Sequence, residues 1–299
     1  MKKDNFLATG ELLASMIIFG TIGIFRRYLP FSSGFIAMIR GLIGVLFLSL
    51  ILLIKRKKPS LCSIKKNAAL LIVSGALIGF NWMLLFEAYN YTSVATATLC
   101  YYMAPIFVII FSPLLLKEKL TVKKAVISII SLFGMLLVSG VMQGGVESVS
   151  EIKGIIFGLG AAMLYAAVII LNKKLSDISS YDRCTVQLGT AFTVLIPYVI
   201  FAEDISSFNF TPINTALLIT VGILHTGIAY ALYFDSIGKL EAGKVAIFGY
   251  IDPILAVILS ALILDEKMSL PAIIGALLII GATFAHELPQ IKRKRQDES

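Results

Sequence analysis

The sequence predicts an all-α membrane protein whose ten transmembrane helices form two inverted five-helix repeats. Three observations predict it. Apolar stretches of membrane-crossing length recur from end to end, lysine and arginine fall almost entirely in alternate connections, and the second half repeats polar and proline positions of the first at a fixed shift.

The first observation is compositional. Hydrophobic residues make up 58% of the 299-residue chain and charged residues only 15%, with a mean hydropathy of +0.91, whereas a soluble domain carries about a quarter charged residues. A helix needs ~20 apolar residues to cross the hydrocarbon of a bilayer. Such stretches are expected at 7–25, 33–54, 68–88, 93–116, 125–141, 154–171, 184–201, 214–234, 242–264 and 270–285. Short polar turns separate them, which excludes a soluble globule and leaves no room for a separate polar domain. The first stretch is too long for a signal-peptide core and lacks a small-residue cleavage site, so a retained helix is expected. Cys62, Cys100 and Cys184 are scattered and odd in number, giving neither a disulfide framework nor a metal-ligand spacing.

The net charge of +8 finds its first explanation in topology rather than in nucleic acid. With the N-terminus inside, 21 of the 26 lysines and arginines fall in cytoplasmic segments, among them Lys55-Arg56-Lys57-Lys58 and the tail Lys292-Arg293-Lys294-Arg295. Arg26, Arg27, Lys153 and Lys267 fall outside, and Arg40 lies within a span. A miscounted span would scramble this asymmetry. The expected location is the cytoplasmic membrane, multi-pass, with both termini cytoplasmic.

The repeat appears when the halves are aligned with a shift of 148, the separation of Pro105 and Pro253. Gly79 then meets Gly227, Trp82 meets Tyr230, Glu87 meets Asp235, Tyr102 meets Tyr250, Ser112 meets Ser260, and Glu118-Lys119 meets Glu266-Lys267. Leucines in two apolar stretches match by chance; Tyr-x-x-Pro followed thirteen residues on by Glu-Lys does not. The expected units are 1–145 and 146–290, followed by a basic tail at 291–299. An odd number of spans per unit inverts the second copy, and inverted repeats are the usual architecture of alternating access.

The context Ala37-Met38-Ile39-Arg40, the Pro105 helix running into Leu116-Lys117-Glu118-Lys119-Leu120-Thr121, and its echo from Pro253 to Leu264-Asp265-Glu266-Lys267-Met268-Ser269 resemble the drug/metabolite transporter superfamily in its EamA-type ten-helix branch. The resemblance covers nearly the whole chain. Members usually read Leu-Gly-Glu at the first of these turns, where this chain has Lys117, with Asp265 at the second. The resemblance implies a metabolite permease driven without ATP, often an exporter of amino acids or similar small molecules, and leaves the substrate open.

Candidate functional residues cluster near the midplane. Pro105 and Pro253 deprive the carbonyls four residues earlier of helical partners, and paired broken helices at the midplane point to a transport site; a plain packing kink is the alternative. Asp252, deep in its span, requires a partner, protein or water. It is read as binding an amine, carrying a coupling proton, or both in turn, against a buried carboxyl bonded to a hydroxyl. His225 suits a proton relay or a structural donor. Arg40 and Glu87 are read as an external gate or a helix–helix tie, with Gln187 the rough counterpart of Arg40 and a candidate for the pocket wall. Trp82, Tyr230, Tyr102, Tyr250 and Tyr165 (paired with Phe19) offer aromatic faces that attract ammonium groups, and Tyr101 and Asn81 join them. Glu118-Lys119 and Glu266-Lys267 are expected to cap and bridge turns. Gly20-x-x-Gly23, Gly41-x-x-Gly44 and Gly154-x-x-x-Gly158 are expected to permit close helix approach.

Secondary transport of small metabolites such as amino acids, by alternating access around a midplane site, is the expected function. Proton-coupled efflux of cationic amines or drugs is the alternative. An intramembrane aspartyl protease is a distant one, because Asp235 and Asp252 differ in depth by about 12–15 Å of helical rise and Gly249-Tyr250-Ile251-Asp252 lacks the second glycine of the protease pattern. No phosphate loop and no Gly-x-Ser-x-Gly occur, and the chain has two histidines, so no enzyme, cofactor or metal is expected. A small-molecule substrate and the lipid bilayer are the expected partners, nucleic acid is not, and a homodimer stays open.

Overall fold

The computed structural model describes residues 2–117, 121–138, 149–237, 239–240, 245 and 248–297; among these, every regular element is helical and none is a strand. Glu118 and Lys119, which figured in the sequence expectations, lie outside the described residues, as does most of 241–247 at the start of the ninth expected span.

The helices are α1 (Lys2–Gly20), α2 (Ile22–Arg27), α3 (Ser33–Ile54), α4 (Leu61–Lys66), α5 (Ala68–Tyr91), α6 (Val94–Tyr101), α7 (Ala104–Leu115), α8 (Val122–Val138), α9 (Val149–Asn172), α10 (Ser180–Ala202), α11 (Pro212–Gly222), α12 (Ala229–Ile237), α13 (Ile251–Ile263) and α14 (Leu270–Asp297). A π-helical turn, Ile223–Ile228, joins α11 to α12. Among the described residues, seven segments are long and apolar enough to cross a membrane: Phe6–Arg27, Ser33–Ile54, Ala68–Tyr91, Val94–Leu115, Val149–Asn172, Ser180–Ala202 and Pro212–Ile237. Ile251–Ile263 and Leu270–Ala282 are shorter apolar helices, and α8 adds 17 residues. The chain is therefore an all-helical, multi-pass membrane protein.

Helix prevails because hydrocarbon offers backbone groups no partner but one another. Starts are marked chemically. The side chains of Ser32, Ser93, Ser179 and Thr211 accept from the backbone N–H of Phe35, Thr96, Asp182 and Asn214, three residues on, and each such cap contributes about 1 kcal/mol. Large apolar side chains such as Leu53, Ile129, Phe201 and Leu262 stay exposed, in the positions that lipid covers. Inside, small residues set the spacing. A Cβ on Gly75 would press on the backbone of Gln187 in α10, and one on Gly158 on Cys100 in α6. Gly134 of α8 and Gly275 of α14 meet so closely that a Cβ on either would collide with the carbonyl oxygen of the other. A Cβ on Gly20 or Gly41 would crowd the backbone of Asp252 or Phe192 on a neighbouring helix, and one on Gly154 would meet Thr92 at the end of α5, as their spacing led us to expect.

Charges gather at the two ends. At one, Lys55 Nζ pairs with Asp235 at 2.6 Å, joined by the Tyr181 hydroxyl, and Lys239 reaches Glu11 at 3.5 Å. On the connecting loops there, Lys66 lies 2.9 Å from Asp177, and that hydrogen bond holds the Asp177 carboxyl below its ordinary value. At the other end Arg27 pairs with Glu266 at 2.6 Å, Glu266 accepts from Val94 N–H at 2.8 Å, and Ser260 donates to the same carboxylate. Glu266 thus bridges a turn, as its place at a span end suggested.

One local geometry recurs 148 residues apart. Leu116 N–H donates to Ser112 O at 2.9 Å and Leu264 N–H to Ser260 O at 3.2 Å, and the next residues, Lys117 and Asp265, adopt φ of 56° and 53°. These are left-handed helix stops, where a side chain costs about 1–2 kcal/mol and glycine costs nothing sterically. Lys117 is the place where the resembled family usually carries glycine, so the departure is a source of strain. Asp265→Gly and Lys117→Gly should each raise the Tm of the detergent-solubilised protein, by the equivalent of about 0.5–1 kcal/mol after the added flexibility of glycine is deducted. Thermal melts followed by circular dichroism check this; a lower Tm in both would show that the left-handed turn is not what limits stability there.

Candidate functional site

The site begins where a helix stops. α6 ends at Tyr101 and α7 starts at Ala104, with Tyr102 N–H bonded to Thr98 O at 2.9 Å and Met103 N–H to Cys100 O at 3.1 Å, a tightened last turn. Pro105 is the second residue of α7, where a missing N–H costs no hydrogen bond. The break therefore falls just before the proline, at Tyr102–Met103, and not at the proline itself. Likewise Tyr250 precedes α13, in which Asp252 is the second residue and Pro253 the third. The two breaks are in contact: Tyr102 Oη donates to Asp252 Oδ2 at 2.8 Å.

Beside that bond lies a cavity of about 330 Å³, near the lower limit for a small-molecule site. Asp252, Tyr102, Trp82, Tyr230, Tyr165, Tyr101, Asn81, Arg40 and Pro105, all anticipated from the sequence, line it. Tyr101 and Tyr165 stack with ring centroids 5.4 Å apart, and Phe19 meets Tyr230 edge-on at 5.5 Å. Asn81 Nδ2 donates to Ala161 O at 2.6 Å and so ties α5 to α9. Gly20 brings α1 against the backbone of Asp252, too close for a Cβ.

Five anticipated residues are placed elsewhere. Tyr250 packs against Phe284 and does not line the cavity. Pro253 is buried in α13 behind it. Gln187 is buried between helices, its amide donating to Ser74 at 2.6 Å and Asn172 at 2.8 Å, so it ties α5, α9 and α10 and forms no part of the wall. Glu87 does not meet Arg40. It accepts from Ser33 at 2.5 Å and Asn90 at 3.1 Å, and Arg26 reaches the same Ser33 and Asn90 at 3.2 and 2.8 Å. The Arg40–Glu87 tie fails because Arg40 points to the cavity while Glu87 turns to the helix end. His225 also stands outside the lining. Thr21 Oγ1 donates to Ile18 O at 2.7 Å, so it accepts from His225 Nε2 at 2.9 Å, and the chain of bonds stops at that carbonyl. This geometry makes His225 a tie between α1–α2 and the π turn rather than a relay into the cavity.

Arg40, read from the sequence as a gate or a tie, stands in the cavity wall. Its guanidinium lies 4.1 Å from the centroid of Trp82 and 5.2 Å from that of Phe86, and Nε donates to Thr226 Oγ1 at 3.0 Å. A desolvated cation–π contact is worth about 2 kcal/mol. Thr226 belongs to the π turn, a feature found frequently at functional sites. The sequence reading missed Tyr89, Thr98 and Phe86. Tyr89 Oη lies 3.3 Å from Thr98 Oγ1 on the cavity wall, and helical spacing was the available signal, since Trp82, Phe86 and Tyr89 recur at four and three residues on one face of α5.

A membrane protein with a cavity beside two contacting helix breaks, lined by one acid, one base and aromatic rings, has the outline of a solute carrier. The chain is a member of the EamA-like transporter family, which matches residues 9–140 and again 152–285. It is 30% identical over 283 residues to the uncharacterized transporter YxxF of Bacillus subtilis (strain 168), covering 93% of this chain and 89% of that one. With YoaV of the same organism it shares 27% over 260 residues, covering 86% and 87%. Solute carrier family 35 member G1 of Mus musculus is 26% identical over 239 residues, 76% of this chain and 64% of that protein. A solved crystal structure superposes with a TM-score of 0.66 at 17% identity over 96% of this chain and 98% of the other, a likeness of fold. The family is one of transporters, not enzymes.

Trp82 is the single tryptophan of the chain and lines the cavity under Arg40. A solute that enters the cavity should therefore change the intrinsic emission saturably, and Arg40→Gln should shift the emission of the free protein. A transported solute that leaves the Trp82 emission unchanged would place its binding site elsewhere.

Proposed function

We propose that this chain is a secondary transporter that exports small metabolites of amino-acid size across the cytoplasmic membrane by alternating access. Ten membrane helices form two inverted five-helix units, 1–145 and 146–290, with both termini and the 291–299 tail in the cytoplasm. The observation that carries the reading is the cavity itself. The first family-matched segment contributes Arg40, Trp82 and Tyr102, the second Tyr165, Tyr230 and Asp252, and the wall contains the first helix break at Tyr102 and the start of the helix that follows the second, at Asp252.

Two further features support it. Lys117 and Asp265 share one turn geometry, and Tyr102 and Tyr250 both stand at a helix break, each pair 148 residues apart. Ion pairs also join the two segments at both ends, Arg27–Glu266 at one and Lys55–Asp235 at the other. Alternating access requires the ends to open in turn, so each pair serves as a latch on its own side. The Lys/Arg asymmetry of the sequence supports the orientation, and the family resemblance supports export.

Asp252 also favours a second reading, exchange of a cationic amine for protons, because among the described residues its one hydrogen-bond donor is Tyr102 and no cation pairs with it. Proteoliposome counterflow with pooled amino acids, amines and nucleosides, with and without a pH gradient, separates the two. Asp252→Asn should reduce flux at least about 30-fold while leaving the fold intact, as expected when a buried charge partner is lost. Wild-type flux in that variant would remove Asp252 from both schemes.

The latches make an opposite pair of predictions. Glu266→Gln should raise labelling of a single cysteine placed in the cavity by an impermeant thiol reagent added from outside, and Asp235→Asn should lower it. The same direction of change in both would show that the pairs are static ties.

A further inference from the structure

The connection 55–66, between α3 and α5, carries six cations and no Asp or Glu. A surplus of lysine and arginine at one end of a membrane protein sets its orientation, and for that purpose the charges need no fixed position. Here they have one. Lys57 N–H donates to Leu52 O at 2.9 Å and Arg56 takes φ of 51°, so the chain turns directly at the end of the apolar span. α4 follows, docked on the connection between α9 and α10. The Asn67 amide donates to Ser63 O and Ser176 O, each at 2.8 Å, and its oxygen accepts from Ser176 N–H at 3.2 Å. Ser60 N–H reaches Asp182 at 3.4 Å.

Lys55 and Lys66 are taken by Asp235 and Asp177. Arg56, Lys57, Lys58 and Lys65 are exposed, and no side chain among them has a hydrogen-bond or ion-pair partner among the described residues. Beside these cations stand apolar side chains. Leu61 is 68% exposed, and Leu53 and Ile54 at the end of α3 are exposed as well. Leu61 and Lys65 lie four residues apart on α4 and so share one face. An apolar side chain next to a cation on a long stem is the arrangement of a helix lying at a bilayer surface.

We infer that this docked turn binds the phosphate headgroups of anionic phospholipids in the adjoining leaflet, with Arg56, Lys57, Lys58 and Lys65 on the phosphates and Leu61 among the acyl chains. The inference goes beyond the transport reading and depends on neither the solute nor its direction. A lipid fits better than a soluble acidic partner, because the first three cations follow the last apolar residue of the span directly and the fourth shares its face with Leu61. Each lysine or arginine held close to an anionic leaflet strengthens the attraction about fivefold, and arginine adds a planar fork that meets two phosphate oxygens at once.

Cys62 supplies the reporter, since it is exposed on α4 while Cys100 and Cys184 are buried. The full chain, labelled at Cys62 with a fluorescent donor, goes into phosphatidylcholine vesicles holding traces of acyl-labelled acceptor lipid, either phosphatidylglycerol or phosphatidylcholine. Energy transfer to phosphatidylglycerol should exceed that to phosphatidylcholine by about threefold or more. Replacing Arg56, Lys57, Lys58 and Lys65 together by glutamine should equalise the two, whereas replacing Lys292, Arg293, Lys294 and Arg295 by glutamine should leave the preference in place. The double variant Lys57→Gln, Lys58→Gln should fall between, and it decides the matter if the quadruple variant fails to fold. No preference in wild type overturns the inference, and so does an equal loss in both quadruple variants, which would mean attraction by diffuse charge. Inorganic phosphate at matched ionic strength should leave the transfer unchanged; displacement of the lipid beyond that caused by chloride would make free phosphate the occupant and overturn the lipid assignment.

Discussion

The bond between Tyr102 and Asp252 is the contact around which the centre of the molecule is arranged. In hydrocarbon a carboxylate needs an internal partner, and backbone that leaves a helix needs protein or a cavity beside it. Both needs arise at one place here. α6 stops before α7, α13 starts beside it, and the hydroxyl of the residue at the first break answers the carboxylate two residues beyond the second. Gly20 is required on the third side because α1 passes against the Asp252 backbone at a distance no Cβ permits. The cavity is the space left when two helices that cannot continue meet without filling the gap.

Away from the cavity the packing is of a different kind. α5 and α10, and α8 and α14, approach until glycine faces backbone, and their contacts are dispersion over large apolar faces. Polar ties such as Asn81 to Ala161 and Gln187 to Ser74 are buried, that of Gln187 to Asn172 partly so, and they hold neighbouring helices in register. The ion pairs at the two ends are partly exposed, and exposed pairs contribute little net stability because water competes for both charges. Strong ties within the helix packing and weak ones at its ends suit a molecule whose ends open while its bundles stay intact.

Much of this was legible in the sequence. Hydropathy located seven of the expected spans among the described residues, the shift of 148 paired Pro105 with Pro253 and Tyr102 with Tyr250, and Asp252 stood out by its depth in its span. Depth was legible because helical rise is regular; rotation about the helix axis was not, since the apolar faces of a membrane helix carry little periodicity. That is why Tyr250, matched to Tyr102 in the repeat, turned out to pack against Phe284, and why Gln187 was assigned to a wall it does not form. Glu87 and Arg40 were joined as the nearest opposite charges on adjacent spans, but the Ser33–Asn90–Arg26 cluster satisfies Glu87 first. The left-handed turns at Lys117 and Asp265 could be read only through a family preference for glycine, because neither residue advertises a positive φ.

The two cavity charges share one further property. Arg40 comes from the first family-matched segment and donates its one hydrogen bond to Thr226 in the second; Asp252 comes from the second and accepts its one from Tyr102 in the first. Each charge is thus held across the division between the segments. A relative movement of the two loosens both holds together and changes how each charge is solvated, whereas movement inside either segment leaves them alone. A solute that meets both charges spans the same division, so its binding favours whichever arrangement of the segments lets it reach both. Recognition of the solute and the rocking that carries it would then draw on the same two bonds.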